Sequence, residues 1–154
     1  MSLDLRSLSL QLPLEKLNIK KTDEQLEDWI CPLEDAFEST PQVAEQYKNA
    51  HRVKLSQNES FQHFTGYLDN QPICSLTLSI QGDCARIDDF GTHHLHQKKG
   101  YGTELLEFSL RKALEQKVRY CFLESSVTGL RLYKSFGFIP IFKNRLFKRL
   151  IQRP

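Results

Sequence analysis

Two runs of alternating residues, Phe61–Leu68 and Ile73–Ile80, flank the four residues Asp69-Asn70-Gln71-Pro72. In the second run Cys74, Leu76, Leu78 and Ile80 alternate with Ser75, Thr77 and Ser79, which is the side-chain period of a β-strand. The residues between the runs are turn formers, so the pair is predicted to be an antiparallel hairpin. Gln81-Gly82-Asp83 is a further turn, and Ala85–Phe90 a third strand.

The rest of the chain supplies helices and more strands around this hairpin. Leu8 to Leu14 alternates apolar and polar residues, with Pro13 marking an edge or a strand end. A helix is expected near Thr22, where Thr22 and Gln25 have capping-box spacing. Leu26, Trp29, Ile30, Leu33, Ala36 and Phe37 follow at helical intervals, with a kink or break expected at Pro32. A second helix is expected from Thr40 as N-cap and Pro41 in the first turn, turning Val43, Ala44 and Tyr47 to the core. Downstream, Leu106, Leu110, Ala113 and Leu114 form one stripe of a helix over Thr103–Gln116. Val118–Leu123 reads as a strand buried on both faces, and Thr128–Ser135 as a short helix closed by Gly137. Phe138–Ile151 reads as a final hairpin. The predicted order, β-α-α-β-β-β-α-β-α-β-β, is that of an α/β (α+β) domain with a mixed, mostly antiparallel sheet, not a doubly wound parallel one.

At 154 residues the chain is expected to form a single domain, 1–154, with a core large enough to need no disulfide or metal staple. Apolar runs fall well short of a membrane span, and no secretory leader pattern is visible. Cys31, Cys74, Cys84 and Cys121 form no Cys-x-x-Cys unit, so buried free thiols in a reducing cytoplasm are expected. Residues 1–77 carry 7 Lys/Arg against 12 Asp/Glu, whereas residues 78–154 carry 14 against 7. The C-terminal half therefore suits a polyanionic ligand. Nucleic acid would satisfy the same charge, but no aromatic-basic recognition signature accompanies it.

The most informative segment is Gln97-Lys98-Lys99-Gly100-Tyr101-Gly102-Thr103, set between a predicted strand and a predicted helix. Two glycines permit close backbone approach, and the first amides of a helix lack intrahelical acceptors. With the helix dipole, that combination can cradle a phosphate. Neither a Walker-type loop nor a dinucleotide fingerprint is present.

Gln97-x-x-Gly100-x-Gly102 resembles the Q/R-x-x-G-x-G/A signature of the GNAT N-acetyltransferase superfamily. Leu132-Tyr133-Lys134-Ser135-Phe136-Gly137-Phe138, about thirty residues on, is similar to that family's L-Y-x-x-x-G-F segment. The resemblance implies a GNAT-like sheet with helices on both faces and a splayed central pair of parallel strands. It implies acetyl-CoA as cosubstrate, its pyrophosphate held by Gln97, Lys98, Lys99, Gly100, Tyr101, Gly102 and Thr103. Phe90, Gly91 and Thr92 would line the pantetheine, and Ser126 stands where an asparagine is common. Tyr133 matches the tyrosine that protonates the departing thiolate in many members. The acceptor implied is a small-molecule or peptide amine, with neither nucleic acid nor membrane as partner; a homodimer is left open.

The base is less defined. Asp88, Asp89 and Glu124 lie at predicted strand ends, and Glu124 is taken as the candidate, with ordered water as the alternative. His94 and His96 would share a face of an extended segment beside His93, but no further ligand with metal spacing accompanies them, so no metal is expected. His51 and His63 carry no local motif. Two readings stand: a catalytic N-acetyltransferase, or a non-catalytic acyl-CoA-binding or regulatory module on the same fold.

Overall fold

The computed structural model describes residues 1–10, 15–57 and 60–144. Six strands form one sheet: β1 (Ser2–Asp4), β2 (Asn18–Lys21), β3 (Phe61–Leu68), β4 (Gln71–Gln81), β5 (Cys84–Thr92) and β6 (Tyr120–Leu123). Their spatial order is β1-β6-β5-β4-β3-β2. Every neighbouring pair is antiparallel except β5 and β6. The helices are α1 (Leu26–Ala36), α2 (Pro41–Leu55), α3 (Tyr101–Glu115) and α4 (Leu130–Ser135).

The predicted hairpin is β3–β4, closed by Asp69 and Asn70 at φ of 49° and 64°. Two consecutive left-handed residues suit the twist of the flanking strands, and Asp and Asn tolerate that conformation best after glycine. Successive β3 residues then face opposite sides of the sheet. The His63 ring packs against Trp29 of α1, whereas Phe64 packs against Phe108 of α3. One face therefore belongs to α1 and α2, the other to α3. Leu105, Leu106, Leu110 and Ala113 of α3 are fully buried in the larger core. Leu26, Trp29 and Leu33 of α1 anchor the smaller one.

Several sequence expectations are corrected. No strand occupies Leu8–Leu10; residues 11–14 lie outside the described set, and β1 and β2 flank this stretch instead. Thr22 does not cap α1: its hydroxyl is hydrogen-bonded to Thr65 Oγ1 at 2.9 Å inside the sheet, and the helix begins at Leu26. Pro32 lies inside α1 without dividing it.

Thr40 does cap α2, its Oγ1 accepting from the Val43 N–H. The buried stripe of α2 is Ala44, Lys48 and His51, however, while Val43 and Tyr47 are 54% and 44% exposed. The helix is thus rotated by about one residue from the expected face. In β6, Cys121 and Leu123 are buried while Tyr120 and Phe122 are half-buried. The run is therefore fully buried on one face only. Between Gly137 and Asn144, the described residues show only an isolated bridge pairing Ile139 with Ser2. The predicted final hairpin is absent over Phe138–Asn144, and its remainder lies outside the described residues.

All four cysteines are free. Burial pushes the Cys74 and Cys121 thiols up to about 12, so both stay protonated. Cys31 is exposed and Cys84 half-buried, contrary to the expectation of four buried thiols.

Candidate active site

The parallel pair β5–β6 is in register from Cys84↔Tyr120 to Ile87↔Leu123 and ends there. β5 continues to Thr92, paired among the described residues only with β4, so a gap opens beyond Ile87. A β-bulge lies at the same level. Asp89 and Phe90 together stand opposite the single residue Leu76, between the pairs Thr77↔Asp88 and Ser75↔Gly91. Asp89 adopts φ of 52°, and such a bulge re-aims side chains locally.

Residues on either side of this bulge serve different faces. Phe90 packs against Tyr133 of α4, ring centroids 6.2 Å apart. Gly91 faces α1, where an added Cβ would lie 2.9 Å from Leu33 Cδ2 and 3.0 Å from Ala36 Cβ. Only glycine lets α1 approach β5 this closely. Asp89 also faces that side, accepting from the Tyr47 hydroxyl of α2 at 2.5 Å.

The sequence turn Gln97–Thr103 links β5 to α3 through a 3-10 turn at His94–His96. Gly100 is the N-cap of α3 at φ of 89°, a conformation costly for residues with a Cβ. The Gln97 side chain donates to the Thr92 carbonyl at 3.0 Å, pinning the turn to the end of β5. The N–H groups of Lys98 through Thr103 meet no acceptor among the described residues. Unsatisfied amides converging at a helix start form an anion cradle. Lys98 and Lys99 belong to the turn, and Lys16 Nζ lies 3.7 Å from where a Cβ on Gly100 would stand. Lys16 escaped the sequence reading because it is 84 residues from that glycine. Buried Glu104 fixes its segment, Oε1 accepting from the N–H groups of Lys16 and Leu17, each at 3.0 Å.

Tyr133 is only 7% exposed, and its hydroxyl has no hydrogen-bond partner among the described residues. Burial pushes it up to about 12, so it carries its proton at neutral pH. Glu124 is exposed just past β6 and accepts from the Asn144 side-chain amide. Ser126 Oγ accepts from the Gly129 N–H at 3.1 Å and shares a hydrogen bond with Thr128, holding the turn before α4.

His93, His94 and His96 do not lie in an extended segment. Asp35 of α1 takes the His94 N–H and ring Nδ1, each at 2.6 Å, and lies 3.5 Å from His93 Nε2. These three residues bring potential ligand atoms within 4.8 Å of one another. In the structure their contact ties α1 to the loop leading into the glycine turn.

A pocket of about 320 Å³ opens on the α1–α2 face, lined by Ile30, Leu33, Phe37, Val43, Tyr47 and Asp89 among others. Behind Asp89 lies a buried chain that local sequence patterns do not reveal. His51 Nδ1 is 2.9 Å from His63 Nε2, and His63 Nδ1 is 2.9 Å from Asp23 Oδ1. Both rings are at most 2% exposed and pack around Trp29.

Burial, partly opposed by Asp89, lowers His51 to about 4, so the ring is neutral in the folded protein. In the unfolded chain it takes up a proton near its ordinary 6.5. Its contribution is therefore complete above pH 6.5 and is lost as pH falls towards 4, by up to about 3 kcal/mol. Urea midpoints measured from pH 7 to pH 4 are expected to fall through this window, and His51→Gln should flatten that fall. Parallel slopes would remove His51 as its cause.

With this geometry in place, the comparisons with known proteins agree. The acetyltransferase (GNAT) family model matches residues 23–138, and the chain belongs to that family. No curated protein sequence matches at a significant level. Among solved structures, a candidate acetyltransferase from Pyrococcus horikoshii aligns with TM-score 0.72 and 24% identity. That alignment covers 85% of this chain but only 46% of that one, so the chain spans about half its length. The aminoglycoside acetyltransferase meta-AAC0020, from an uncultured soil metagenomic sample and in complex with sisomicin, aligns with TM-score 0.65 and 20% identity, covering 89% and 97% of the two chains. AAC(6')-Iy, in complex with the bisubstrate analogue CoA-S-monomethyl-acetylneamine, aligns with TM-score 0.70 and 14% identity over 88% and 99%. At these identities the similarity establishes the fold alone.

Among the described residues, no helix is long and apolar enough to cross a membrane.

Proposed function

We propose that this chain transfers the acetyl group of acetyl-CoA to the nitrogen of an amine by direct attack on the thioester. The observation that carries the reading is the row of N–H groups from Lys98 to Thr103, unpaired among the described residues, around left-handed Gly100. In this reading they hold the pyrophosphate, with Lys16, Lys98 and Lys99 supplying charge. Gln97 acts differently from the others, fixing the turn through the Thr92 carbonyl. The open edge of β5 at Phe90, Gly91 and Thr92 would receive the pantetheine. A protein of the same fold in complex with a CoA bisubstrate analogue supports CoA as the ligand.

The cosubstrate supplies an activated acyl carbonyl and a thiolate leaving group. An oxyanion forming at that carbonyl calls for a fixed donor, and a backbone N–H near Gly91 or Thr92 would serve. Tyr133 is the proton donor to the sulfur, its buried hydroxyl protonated and without a competing partner among the described residues. Glu124 is left at the solvent side of the gap in its hydrogen bond from Asn144.

The reading is tested by thermal unfolding with acetyl-CoA, followed by thiol release with a panel of amines. At a ligand concentration of 100 times Kd, stabilisation of about 2.7 kcal/mol is expected. Gly100→Val should abolish that shift. The substitution forces a β-branched residue into a left-handed conformation and moves the amides out of line. A wild-type protein indifferent to acetyl-CoA would refute the reading. Stabilisation without turnover on any amine would replace it with an acyl-CoA-binding module.

A further inference from the structure

We infer that Asp35, His93 and His94 form a binding site for a zinc ion, which ties α1 to the loop entering the glycine turn. The site lies outside the residues assigned to acetyl transfer, and its occupancy is read without acetyl-CoA.

By spacing alone the histidines lack a third ligand. The fold supplies it: Asp35, 58 residues before His93, stands near the end of α1 against this loop. One ligand atom from each of the three residues lies within 4.8 Å of the other two, the one such group among the described residues. The His93 and His94 rings stack, their centroids 4.7 Å apart and their planes 23° from parallel. Each turns a nitrogen to the same carboxylate oxygen, Asp35 Oδ1. A tetrahedral zinc with bonds of about 2.0–2.2 Å holds its ligand atoms roughly 3.3–3.5 Å apart. His93 Nε2 is already at that spacing from Oδ1, at 3.5 Å. His94 Nδ1 is closer, at 2.6 Å, and admits the ion when its exposed ring swings out by less than about 1 Å.

The donor set selects the metal. Two imidazole nitrogens and one carboxylate oxygen suit zinc, with water in the fourth position. Calcium and magnesium call for oxygen ligands instead. Asp35 and His93 are half-buried and His94 is exposed, so the ion arrives from solvent without disturbing the core.

The local field also favours a cation. Asp35 stands in the last turn of α1, where the terminal carbonyls carry partial negative charge and the helix places no basic residue. Burial, then Asp28, Glu34 and Asp35, push up the Cys31 thiol one turn earlier, a sign of negative potential on this face.

Binding trades hydrogen bonds for coordination. At His94 the contact from Nδ1 to Asp35 gives way to the metal, and the ring hydrogen moves to Nε2. The His94 N–H keeps its 2.6 Å bond to Asp35 Oδ2 and so orients the ligating carboxylate. At His93, ligation through Nε2 leaves the hydrogen on Nδ1, and the 3.3 Å contact from the Leu95 N–H is given up. One weak contact and one hydrogen bond are exchanged for three metal bonds. The loop from His93 to the N-cap Gly100 is then fastened to α1 by a coordinate tie.

Calorimetric titration of EDTA-treated, dialysed wild-type protein with zinc chloride tests the site. One ion per chain is expected, undisturbed by excess magnesium. His94→Ala should raise the zinc Kd at least about tenfold. It deletes only an exposed ring, so the fold should survive. Asp35→Asn should weaken zinc in the same way, while keeping an acceptor for the His94 N–H. His96→Ala should leave the Kd unchanged, because His96 lies outside the ligand group although its ring is 5.8 Å from that of His93. Cys31→Ser should leave it unchanged as well. Cobalt in place of zinc should give visible absorption without the near-ultraviolet band of a thiolate ligand.

Zinc should also slow amide hydrogen exchange across Leu95–Gly100, and EDTA should restore it. No zinc uptake, or uptake that His94→Ala leaves unchanged, would overturn the site. A thiolate band that disappears with Cys31→Ser would overturn it too, by moving the ion to that cysteine. Exchange in the loop that ignores bound zinc would refute the tie. All these readings are made without acetyl-CoA or an amine, so a failure of the acetyl-transfer reading leaves them standing.

Discussion

Trp29→Ala is expected to cost about 3–5 kcal/mol of unfolding free energy, the range for removing a large aromatic side chain from a core that closes only partly. Trp29 is fully buried and is the centre of the α1–α2 face. Its ring stacks on Tyr47 at 6.1 Å and contacts His51 and His63 at 4.5 and 4.6 Å. Its carbonyl accepts from Ser75 Oγ at 2.6 Å, which binds α1 to β4. Truncation therefore leaves a cavity beside two buried imidazoles as well as removing apolar area. Trp29→Phe should lose less, because it keeps a ring and deletes an Nε1–H that lacks a partner among the described residues. Urea denaturation at pH 7 measures both; a loss below about 1 kcal/mol for the alanine variant would contradict this account.

The second large effect concerns turnover. Tyr133→Phe is expected to lower kcat by about 10²–10⁴, the range for a positioned general acid, while leaving acetyl-CoA stabilisation unchanged. The fold should tolerate the change, since the hydroxyl makes no hydrogen bond within the described residues and the ring contacts to Phe90 and Phe138 remain. Its value of about 12 keeps the donor protonated across the ordinary assay range. The wild-type rate should thus show no decline attributable to Tyr133 below about pH 10. A kcat within threefold of wild type would assign the proton to another donor.

What was legible in the sequence followed from local chemistry. The β3–β4 hairpin shows in its period of two and in Asp69-Asn70, which take the left-handed angles the tight turn demands. The glycine turn was legible because Gly100 and the amides of a helix start act within a few residues of one another. Failures arose where tertiary contact decides. Thr22 had the spacing of a helix cap, yet its hydroxyl is used against Thr65 across the sheet. β1 and β2 are only three and four residues long and owe their pairing to neighbours distant in the chain. Asp89 was visible as a strand-end acid, but nothing in the sequence joins it to His51, His63 and Asp23. Those four come from β5, α2, β3 and the segment before α1, and only the sheet packing assembles them.

The clamp between Asp35 and His94 has a thermodynamic consequence. Helix α1 walls the apolar pocket through Ile30 and Leu33, and through Asp35 it also braces the loop before the glycine turn. Were a ligand in one compartment to displace α1, the two short hydrogen bonds of this strut would pass that displacement to the other. Whatever factor one ligand contributes to the affinity of its companion must be returned in equal measure. Order of addition then becomes a property of this brace, read by titrating each ligand in the presence and absence of the other.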